Sequence, residues 1–234
     1  MPPSLPLSLQ PWRRSCPVPP RRGAPVTVRH PVCARLYACQ AERAEALGLA
    51  ERRRALLSGL SGRVVEIGAG AGTNLPYYPP EVTELVAVEP EPYLRARLSK
   101  AAAAAAPAVT VVDAVAEALP LEDGSVAAAV ACLVLCSVED SVRALAEFAR
   151  VLRPDGELRF LEHVASPTRD ADARSVPPTP TVWPRLSGGC HLGRDTTALL
   201  TSAGFAIERE ERFAFGIPPL DPPKTHVLGI ARRR

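Results

Sequence analysis

Three closely spaced glycines and one carboxylate follow a short apolar run near residue 65. The segment reads Glu66-Ile-Gly-Ala-Gly-Ala-Gly-Thr-Asn, so the glycines are Gly68, Gly70 and Gly72. Glycine has no Cβ, so its backbone can turn sharply and come close to a bound molecule. The sequence therefore predicts a ligand-binding loop directly after a strand.

The spacing of these glycines indicates which ligand suits the loop. A fingerprint for a nicotinamide dinucleotide has the order Gly-x-Gly-x-x-Gly. Counted from Gly68, the third glycine comes at Gly72, one residue early. A pyrophosphate also favours a long helix N-terminus beneath it, and prolines at 76, 79 and 80 leave little room for one. The loop suits a ligand without a pyrophosphate, such as a nucleoside that carries an amino acid.

Two further carboxylates stand at the ends of the next two apolar runs. Glu89 follows Glu66 by 23 residues, and a carboxylate at that place can accept hydrogen bonds from both ribose hydroxyls. Asp113, followed by Ala114, ends the third run, where a carboxylate can receive an exocyclic adenine amine. The alternative is that both carboxylates only cap the helices that follow them.

The elements that must position these residues alternate between strand and helix. Five continuous apolar runs predict central parallel strands covered on both faces, at 63–67, 84–89, 109–113, 126–133 and 157–163. Helical patterns lie at 35–48, 49–57, 140–152 and 195–203, and two late strands at 205–212 and 225–232. This alternation predicts an α/β fold with a doubly wound, mostly parallel sheet, whose ligands bind at the carboxyl ends of the strands.

Composition divides the chain into a tail and one domain. Residues 1–31 carry nine of the 26 prolines and no hydrophobic period, so we expect a disordered tail at 1–29 and one domain at 30–234. The first 41 residues hold six of the 28 basic residues and no acidic one, which leaves a net charge of −3 on the rest. A slightly acidic domain predicts no nucleic-acid partner, and no apolar run is long enough to predict a membrane span.

Cysteines and histidines show no spacing typical of a metal site. None of the six cysteines stands in a C-x-x-C pair, and the four histidines add no zinc pattern, so the sequence predicts no metal. Cys132 and Cys136 lie in an apolar run that predicts burial. Reduced thiols in the cytoplasm are therefore expected, and the proline-broken N-terminus predicts no targeting segment.

Taken together, these motifs resemble those of class I S-adenosylmethionine-dependent methyltransferases, with the likeness spanning residues 30 to 232. The class-level segments are 64–72, 86–90 and 113–120, with the turn at 150–158 before the fifth strand. Within the class, the chain is similar to the methyltransferase-like-seven group, which includes alkyl thiol methyltransferases. That likeness is carried by 73–80, 133–138 and 161–165, and further on by Trp183, Gly189-Cys190 and Ala203-Gly204-Phe205.

The resemblance implies a Rossmann-like seven-stranded sheet with helices on both faces, S-adenosylmethionine as the cofactor and a thiol or lipophilic small molecule as the acceptor. It assigns the cofactor site to ten residues: the methionine moiety to Glu66 and the loop, the ribose to Glu89, the adenine to Asp113 and Ala114 with Leu133 packing on the purine, and Asn74 without a particular moiety. The predicted site is Glu66, Gly68, Ala69, Gly70, Gly72, Asn74, Glu89, Asp113, Ala114 and Leu133.

The chain departs from the family at two places. Ala127 stands where an aspartate usually opens the fourth strand, and that aspartate supports the fold or the loop near the cofactor. Eukaryotic members also begin with a hydrophobic membrane anchor, whereas this chain begins with an Arg/Pro-rich segment, which predicts a soluble form.

A thiol or hydroxyl acceptor profits from a base or a positive neighbour. His163, at the end of the fifth strand, is the candidate base, with Cys136 and Asp195 behind it, although each also suits a purely structural role. Tyr77, Tyr78 and Trp183 are candidates for lining an apolar acceptor pocket. Two other functions stay open at this point: a nicotinamide-dependent oxidoreductase, and a fold that binds the cofactor without turnover.

Overall fold

The computed structural model of the chain describes residues 30–105, 107–165, 189–191, 193–218 and 221–234, with backbone only at 221 and 222. Its helices are α1 (Pro31–Ala44), a π-helical segment (Glu45–Leu49), α2 (Ala50–Leu57), a 3-10 turn (Leu75–Tyr77), α3 (Pro92–Ala102), α4 (Ser141–Val151) and α5 (Thr196–Ser202). Its strands are β1 (Gly62–Ile67), β2 (Val82–Val88), β3 (Ala108–Val112), β4 (Val126–Cys132), β5 (Leu152–His163), β6 (Phe205–Ile217) and β7 (Asp221–Arg233).

The strands form one seven-stranded sheet in the order β3-β2-β1-β4-β5-β7-β6. The first five strands are parallel, and β7 runs antiparallel to both β5 and β6. The predicted doubly wound, mostly parallel α/β fold is confirmed. The strand order reverses between β1 and β4, so the carboxyl ends of these two strands flank the crevice where such sheets bind ligands.

Both faces of the sheet are buried, as the continuous apolar runs require. On one face, Val65 and Ile67 of β1 pack in a cluster with Phe148 of α4. On the other face, Val64 packs in a second cluster with Leu57 of α2. Side chains alternate across a strand, so one short run supplies both cores.

Side-chain caps fix where the helices begin. The Asp140 carboxylate accepts a hydrogen bond from the backbone N–H of Arg143, at the predicted start of α4. Asp195 caps α5 in the same way through Ala198. Gly204, with φ at +87°, follows that helix where the sequence predicted its end. Short polar side chains thus fix the positions at which α4 and α5 begin.

Several strand boundaries differ from the prediction. β5 begins at Leu152, five residues before the predicted start, because Leu152 already pairs with Val126. The predicted turn at 153–156 therefore lies inside this element, where the register with β4 shifts. β6 and β7 are also longer than predicted, since the two antiparallel strands pair along almost their whole length.

The N-terminal helices α1 and α2 meet at a bend, and α2 packs on one face of the sheet. α1 starts with a proline, and the chain bends at Gly48, whose φ is +115°. Predicted helices at 35–48 and 49–57 are confirmed, with the first starting four residues earlier. No helix in the described part of the chain is long and apolar enough to cross a membrane.

Ala127 is the second residue of β4, at the sheet edge opposite the glycine loop. A Cβ placed on Gly62, at the start of β1, would lie 3.5 Å from the Ala127 Cβ. Gly68 follows Gly62 by six positions along β1, which is about 20 Å at 3.3 Å per residue. The family's aspartate at this position would thus lie at the amino ends of the strands, about 20 Å from the loop near the cofactor.

Some sequence predictions fall on residues that the structure does not describe. These are the disordered tail predicted at 1–29 and the candidate pocket residue Trp183, which lies within the undescribed residues 166–188. They stay predictions.

Candidate functional site

The glycine loop leaves β1 at the point where the strand order reverses. Gly68, Gly70 and Gly72 all have left-handed backbone conformations, with φ of +65°, +59° and +87°. A Cβ on Gly68 would lie 2.6 Å from a methyl group of Val134, and one on Gly70 would lie 3.3 Å from the ring of Tyr37. The loop therefore requires glycine both for its conformation and for its close contacts.

Glu89 follows β2 directly, and its carboxylate faces the glycine loop. Its Oε2 accepts a hydrogen bond from the Gly70 N–H and its Oε1 one from the Glu91 N–H, both at 2.8 Å. Burial raises the pKa of the Glu89 carboxyl, and the two backbone donors oppose that rise. Each carboxylate oxygen has a further lone pair, so both can still accept a hydroxyl hydrogen.

Glu91, two residues further on, is also buried, at 6% exposure. Its carboxylate caps α3 by accepting a hydrogen bond from the Leu94 N–H at 2.9 Å. Its place in the turn directly after a strand predicts an exposed side chain, and the structure shows that this prediction is wrong. The capping role predicted as an alternative for Glu89 thus falls to its neighbour.

Glu66, the carboxylate of β1, accepts hydrogen bonds from two side chains that follow the glycine loop. Asn74 donates to its Oε1 at 2.8 Å and the Tyr78 hydroxyl donates to its Oε2 at 2.9 Å. Burial raises the pKa of Glu66 to about 7, against these two hydrogen bonds and the charge of Arg53. Glu66 and Asn74 therefore brace the loop from below. Their direct contact with a cofactor stays a prediction.

Arg53, a residue that the sequence analysis missed, completes this network. It is 4% exposed, and its Nη1 donates to the Asn74 oxygen at 2.7 Å and to the Cys132 sulfur at 3.1 Å. Its Nε donates to Glu45 at 2.8 Å. Nothing in the helical pattern of α2 distinguishes Arg53 from Arg52 or Arg54, because only the packing of α2 on the sheet buries it.

The predicted adenine contacts lie beside Glu89 at the ends of β3 and β4. Asp113 is exposed and pairs with Arg95 of α3 at 2.8 Å. Ala114 packs against the core without being fully buried. Leu133, directly after β4, has φ at +62°, the one left-handed conformation among the described non-glycine residues. The structure brings all three to the same edge, and their contact with adenine stays a prediction.

This edge fits the predicted S-adenosylmethionine. The loop leaves no room for a Cβ at Gly68 and little at Gly70, where the ring of Tyr37 on α1 lies close. Glu89 presents a fixed carboxylate beside it. A compact loop without a following long helix suits a nucleoside better than a pyrophosphate, because only the three-residue turn Leu75–Tyr77 follows here.

The loop after β4 is held by a second buried carboxylate. Glu162 of β5 accepts hydrogen bonds from the backbone N–H groups of Val134, Leu135 and Cys136, at 2.9, 2.9 and 3.3 Å. Its side chain has no measurable exposure. Glu162 thereby fixes the position of the Cys136 backbone relative to its own neighbour, His163.

Two sulfur atoms and one nitrogen atom lie close together near the end of β5. The sulfurs of Cys136 and Cys190 each lie 3.7 Å from Nδ1 of His163. The three donor atoms all lie within 4.8 Å of one another. Sequence spacing could not reveal this cluster, since 27 residues separate each cysteine from the histidine.

The surroundings of His163 do not favour it as a base. Burial, and then the charges of His226 and Lys224, lower its pKa to about 3. The imidazole is therefore neutral at pH 7 and only weakly basic. The His226 ring lies 4.4 Å from it and stacks on Phe213.

The other candidates for the acceptor side have structural contacts. The Tyr77 hydroxyl donates to Glu45 and the Tyr78 hydroxyl to Glu66. Tyr78 is buried in the core below the loop, so it does not line a pocket. Asp195 is exposed, and its carboxylate caps α5. Trp183 lies outside the described residues.

Comparisons with known proteins agree with this geometry. A family model described as a methyltransferase domain matches residues 65–160. The chain is 35% identical over 189 residues to human thiol S-methyltransferase TMT1B, covering 75% of this chain and 73% of that protein. It is 34% identical over 169 residues to human thiol S-methyltransferase TMT1A, covering 68% and 69%.

A solved structure shares the fold. A SAM-dependent methyltransferase from Thermotoga maritima, described as a possible histamine N-methyltransferase, superposes with a TM-score of 0.63 at 20% identity. The match covers 86% of this chain and 99% of that chain. At this identity the likeness shows the fold alone.

Proposed function

Since the chain belongs to the class I S-adenosylmethionine-dependent methyltransferases, in the family of the thiol S-methyltransferases, we propose that its acceptor is a small alkyl thiol. It is a methyltransferase that uses S-adenosylmethionine and acts on a small molecule. The observation that carries the thiol as acceptor is the 35% identity, over most of both chains, to relatives of that name.

The chain's part in the reaction begins with holding the cofactor. When bound, S-adenosylmethionine supplies a methyl group on a positively charged sulfur, which is the electrophile. We assign Glu89 to the two ribose hydroxyls, because its carboxylate is held beside Gly70 and each oxygen can accept a further hydrogen bond. Gly68 and Gly70 let the backbone approach the amino-acid part, and Asp113 is assigned to the adenine amine. Holding two reactants in near-attack geometry can lower a barrier by about 7–11 kcal/mol.

The charges on the acceptor side support a thiol over an amine. The groups near His163 are neutral or positive: its ring neighbour His226, the two thiols and Lys224. The one carboxylate close by, Glu162, is turned toward three backbone N–H groups. A protonated amine would find no counter-charge among these groups, whereas a thiolate, which is the nucleophilic form of a thiol, is stabilised by a positive neighbour.

Two alternatives lose support. The early third glycine and the short turn after the loop disfavour a nicotinamide dinucleotide. Binding without turnover was suggested by Ala127, which lies about 20 Å from the loop at the other end of β1 and β4.

The cytoplasmic setting and the absence of a nucleic-acid partner stay proposals. No disulfide joins Cys33, Cys39, Cys132, Cys136 or Cys190, which supports a reducing compartment. The net charge of −3 beyond residue 41 supports a partner other than nucleic acid.

A matched panel of acceptors tests the thiol assignment. Purified protein is incubated with S-adenosylmethionine and one of propanethiol, propanol or propylamine, which differ only in the accepting atom. Formation of S-adenosylhomocysteine is then measured. We expect turnover with the thiol at least about a hundredfold above the other two, because a thiolate forms far more readily at neutral pH than an alkoxide and a protonated amine finds no counter-charge near His163. Equal rates for all three, or a preference for the amine, would contradict the proposal.

A further inference from the structure

Cys136, His163 and Cys190 bring one nitrogen and two sulfur donor atoms close together. Both sulfur-to-Nδ1 distances are 3.7 Å. Around a tetrahedral zinc ion, with bonds of about 2.3 Å to sulfur and about 2.05 Å to nitrogen, these distances would be about 3.6 Å. The two sulfur-to-nitrogen distances therefore match those around zinc, and the two sulfurs lie within 4.8 Å of each other.

Cys136 also hydrogen-bonds to the Cys190 thiol and to the Ser137 hydroxyl, and a cation offers a second arrangement of the same donor atoms. Nδ1 of a neutral imidazole has either one lone pair or one proton. It can therefore form a hydrogen bond with only one of the two sulfurs, although both lie at the same distance from it. A metal ion at the centre would bind all three atoms at once. Two thiolates and one imidazole are a ligand set that zinc favours.

Hydrogen bonds to neighbouring segments hold the backbone around Cys136 and His163. Glu162 holds the Cys136 segment against β5 through three N–H groups. His163 pairs with His226 in the register of β5 and β7. These contacts set two of the three ligands before any ion binds.

Cys190 is fixed to the same loop through its neighbours. The N–H of His191 donates to the carbonyl of Cys136 at 2.7 Å. A Cβ on Gly189 would lie 2.8 Å from the carbonyl oxygen of Ser137, so the chain can pack this closely only with glycine there. Such support from neighbouring groups is typical of a prebuilt metal site.

We infer that Cys136, His163 and Cys190 bind a zinc ion whose fourth position takes the sulfur of the acceptor thiol. This inference rests on the proposed function for the identity of the fourth ligand. Three protein ligands with one open position are the pattern of catalytic zinc sites.

The zinc ion would activate the acceptor thiol directly, because His163 would be one of its ligands. The acceptor thiol loses its proton to solvent as its sulfur binds zinc, since a coordinating thiol is deprotonated outright. This sulfur then forms a bond to the methyl carbon while the bond from that carbon to the cofactor sulfur breaks, and the bonding pair stays on the cofactor sulfur. The product thioether is uncharged and binds zinc weakly, so it leaves.

Charge also suits an attacking thiolate. Zinc with two cysteine thiolates and one acceptor thiolate carries a net charge of −1, so the acceptor sulfur keeps electron density for attack. The Lys224 side chain is close enough for its charge to act on both His163 and Cys190. It would balance this negative charge.

Metal content tests the site without reference to activity. The full-length chain is purified under reducing conditions from cells grown with zinc, and its metals are measured by mass spectrometry. We expect about one zinc per chain, at least tenfold less in Cys136→Ser and Cys190→Ser, and no loss in Cys39→Ser. Cys39 is an exposed cysteine of α1 and is the matched control. Circular dichroism and S-adenosylhomocysteine affinity confirm that each variant is folded.

Cobalt substitution tests the fourth position. Co²⁺ in place of zinc should give thiolate-to-cobalt absorption in the near ultraviolet, absent in Cys136→Ser. Propanethiol should strengthen this absorption, and propanol should leave it unchanged. A wild-type chain with no bound zinc, with another metal, or with a Cys136–Cys190 disulfide would overturn the inference. So would a cobalt spectrum that does not respond to the thiol.

The two proposals fail in different ways. Methylation of propanethiol by metal-free protein would leave the function intact and remove the zinc site. A cobalt spectrum that responds to propanethiol, together with no methylated thiol, would leave the site intact and remove the function.

Discussion

The backbone N–H of Gly70 donates a 2.8 Å hydrogen bond to Oε2 of Glu89, which joins the glycine loop to the end of β2. The second oxygen of Glu89 is held by the N–H of Glu91, at the start of α3. The carboxylate is thus oriented before any ligand arrives. A group held in this way loses little freedom on binding, which favours affinity.

Replacing Glu89 with alanine should weaken binding of S-adenosylhomocysteine at least about tenfold. Hydrogen bonds to a charged group contribute about 1.5–3 kcal/mol each, and 1.4 kcal/mol is a factor of about ten. The variant should remain folded, with a free energy of unfolding lower by about 1–3 kcal/mol, because two backbone donors lose their partner. Titration calorimetry gives the affinity.

Glu84→Ala is the matched control for Glu89. Glu84 lies on β2, the strand that Glu89 directly follows. It is partly exposed and pairs with Arg63 at 3.0 Å, and such a surface ion pair has a small effect on stability. Glu91 cannot serve, since it caps α3. If Glu84→Ala and Glu89→Ala weaken binding equally, the ribose assignment of Glu89 is wrong.

Gly70→Val should abolish cofactor binding. Its φ of +59° disfavours a β-branched residue, and a Cβ there would already be 3.3 Å from the Tyr37 ring. Gly124→Val is the control, because Gly124 has φ of +61° and nothing within 4 Å of an added Cβ. The control shares the backbone strain and should bind S-adenosylhomocysteine normally. If Gly70→Val binds S-adenosylhomocysteine normally, the glycine loop has a structural role only and does not contact the cofactor.

The buried Glu66 should make stability fall as pH rises. Its pKa is about 7 in the folded chain against 4.5 for an ordinary carboxyl, so the folded state holds the proton more tightly than the unfolded state. Stability from this group is complete below pH 4.5 and is lost as pH rises through about 7. The loss amounts to about 3 kcal/mol, at about 1.4 kcal/mol per pKa unit.

Glu66→Gln keeps the shape and removes the titration. Its oxygen can accept from Asn74 and its amide can donate to the Tyr78 oxygen. Urea unfolding at pH 5 and pH 8 should show a smaller difference in the variant than in the wild type, whereas Glu84→Gln should behave like the wild type. An unchanged difference in Glu66→Gln would show that Glu66 does not titrate near neutrality.

Removal of residues 1–29 should leave melting temperature and cofactor affinity unchanged, because that segment has too few apolar residues to form a core. Tyr37→Ala in the full chain provides the contrast. Tyr37 lies against Gly70, so its loss should weaken S-adenosylhomocysteine binding. A large drop in melting temperature on truncation would mean that the tail packs on the domain.

The strands β1 to β5 and the cofactor edge were predictable because they depend on local patterns. Continuous apolar runs define β1 and β4, and glycine spacing defines the loop between β1 and β2. Glu89 was predictable from its place at a strand end, and its binding role awaits test. The burial of Glu91 was not predictable, because it depends on how α3 packs.

Residues that meet only in the folded chain were missed. Arg53 is one of three consecutive arginines, and only the docking of α2 selects it. Cys136, His163 and Cys190 come from a loop, a strand end and a segment after a long connection. Their spacing follows no motif, since the register of β4, β5 and β7 brings them together.

Analysis of the methylated product tests the central claim most directly. The protein is given 2-mercaptoethanol, which offers a thiol and a hydroxyl on one molecule, with S-adenosylmethionine whose methyl group carries deuterium. Mass spectrometry with fragmentation locates the label. We predict deuterated methyl on sulfur only, in a one-to-one ratio with S-adenosylhomocysteine. Label on oxygen, or cofactor bound with no labelled product, would contradict the assignment of this chain as a thiol methyltransferase.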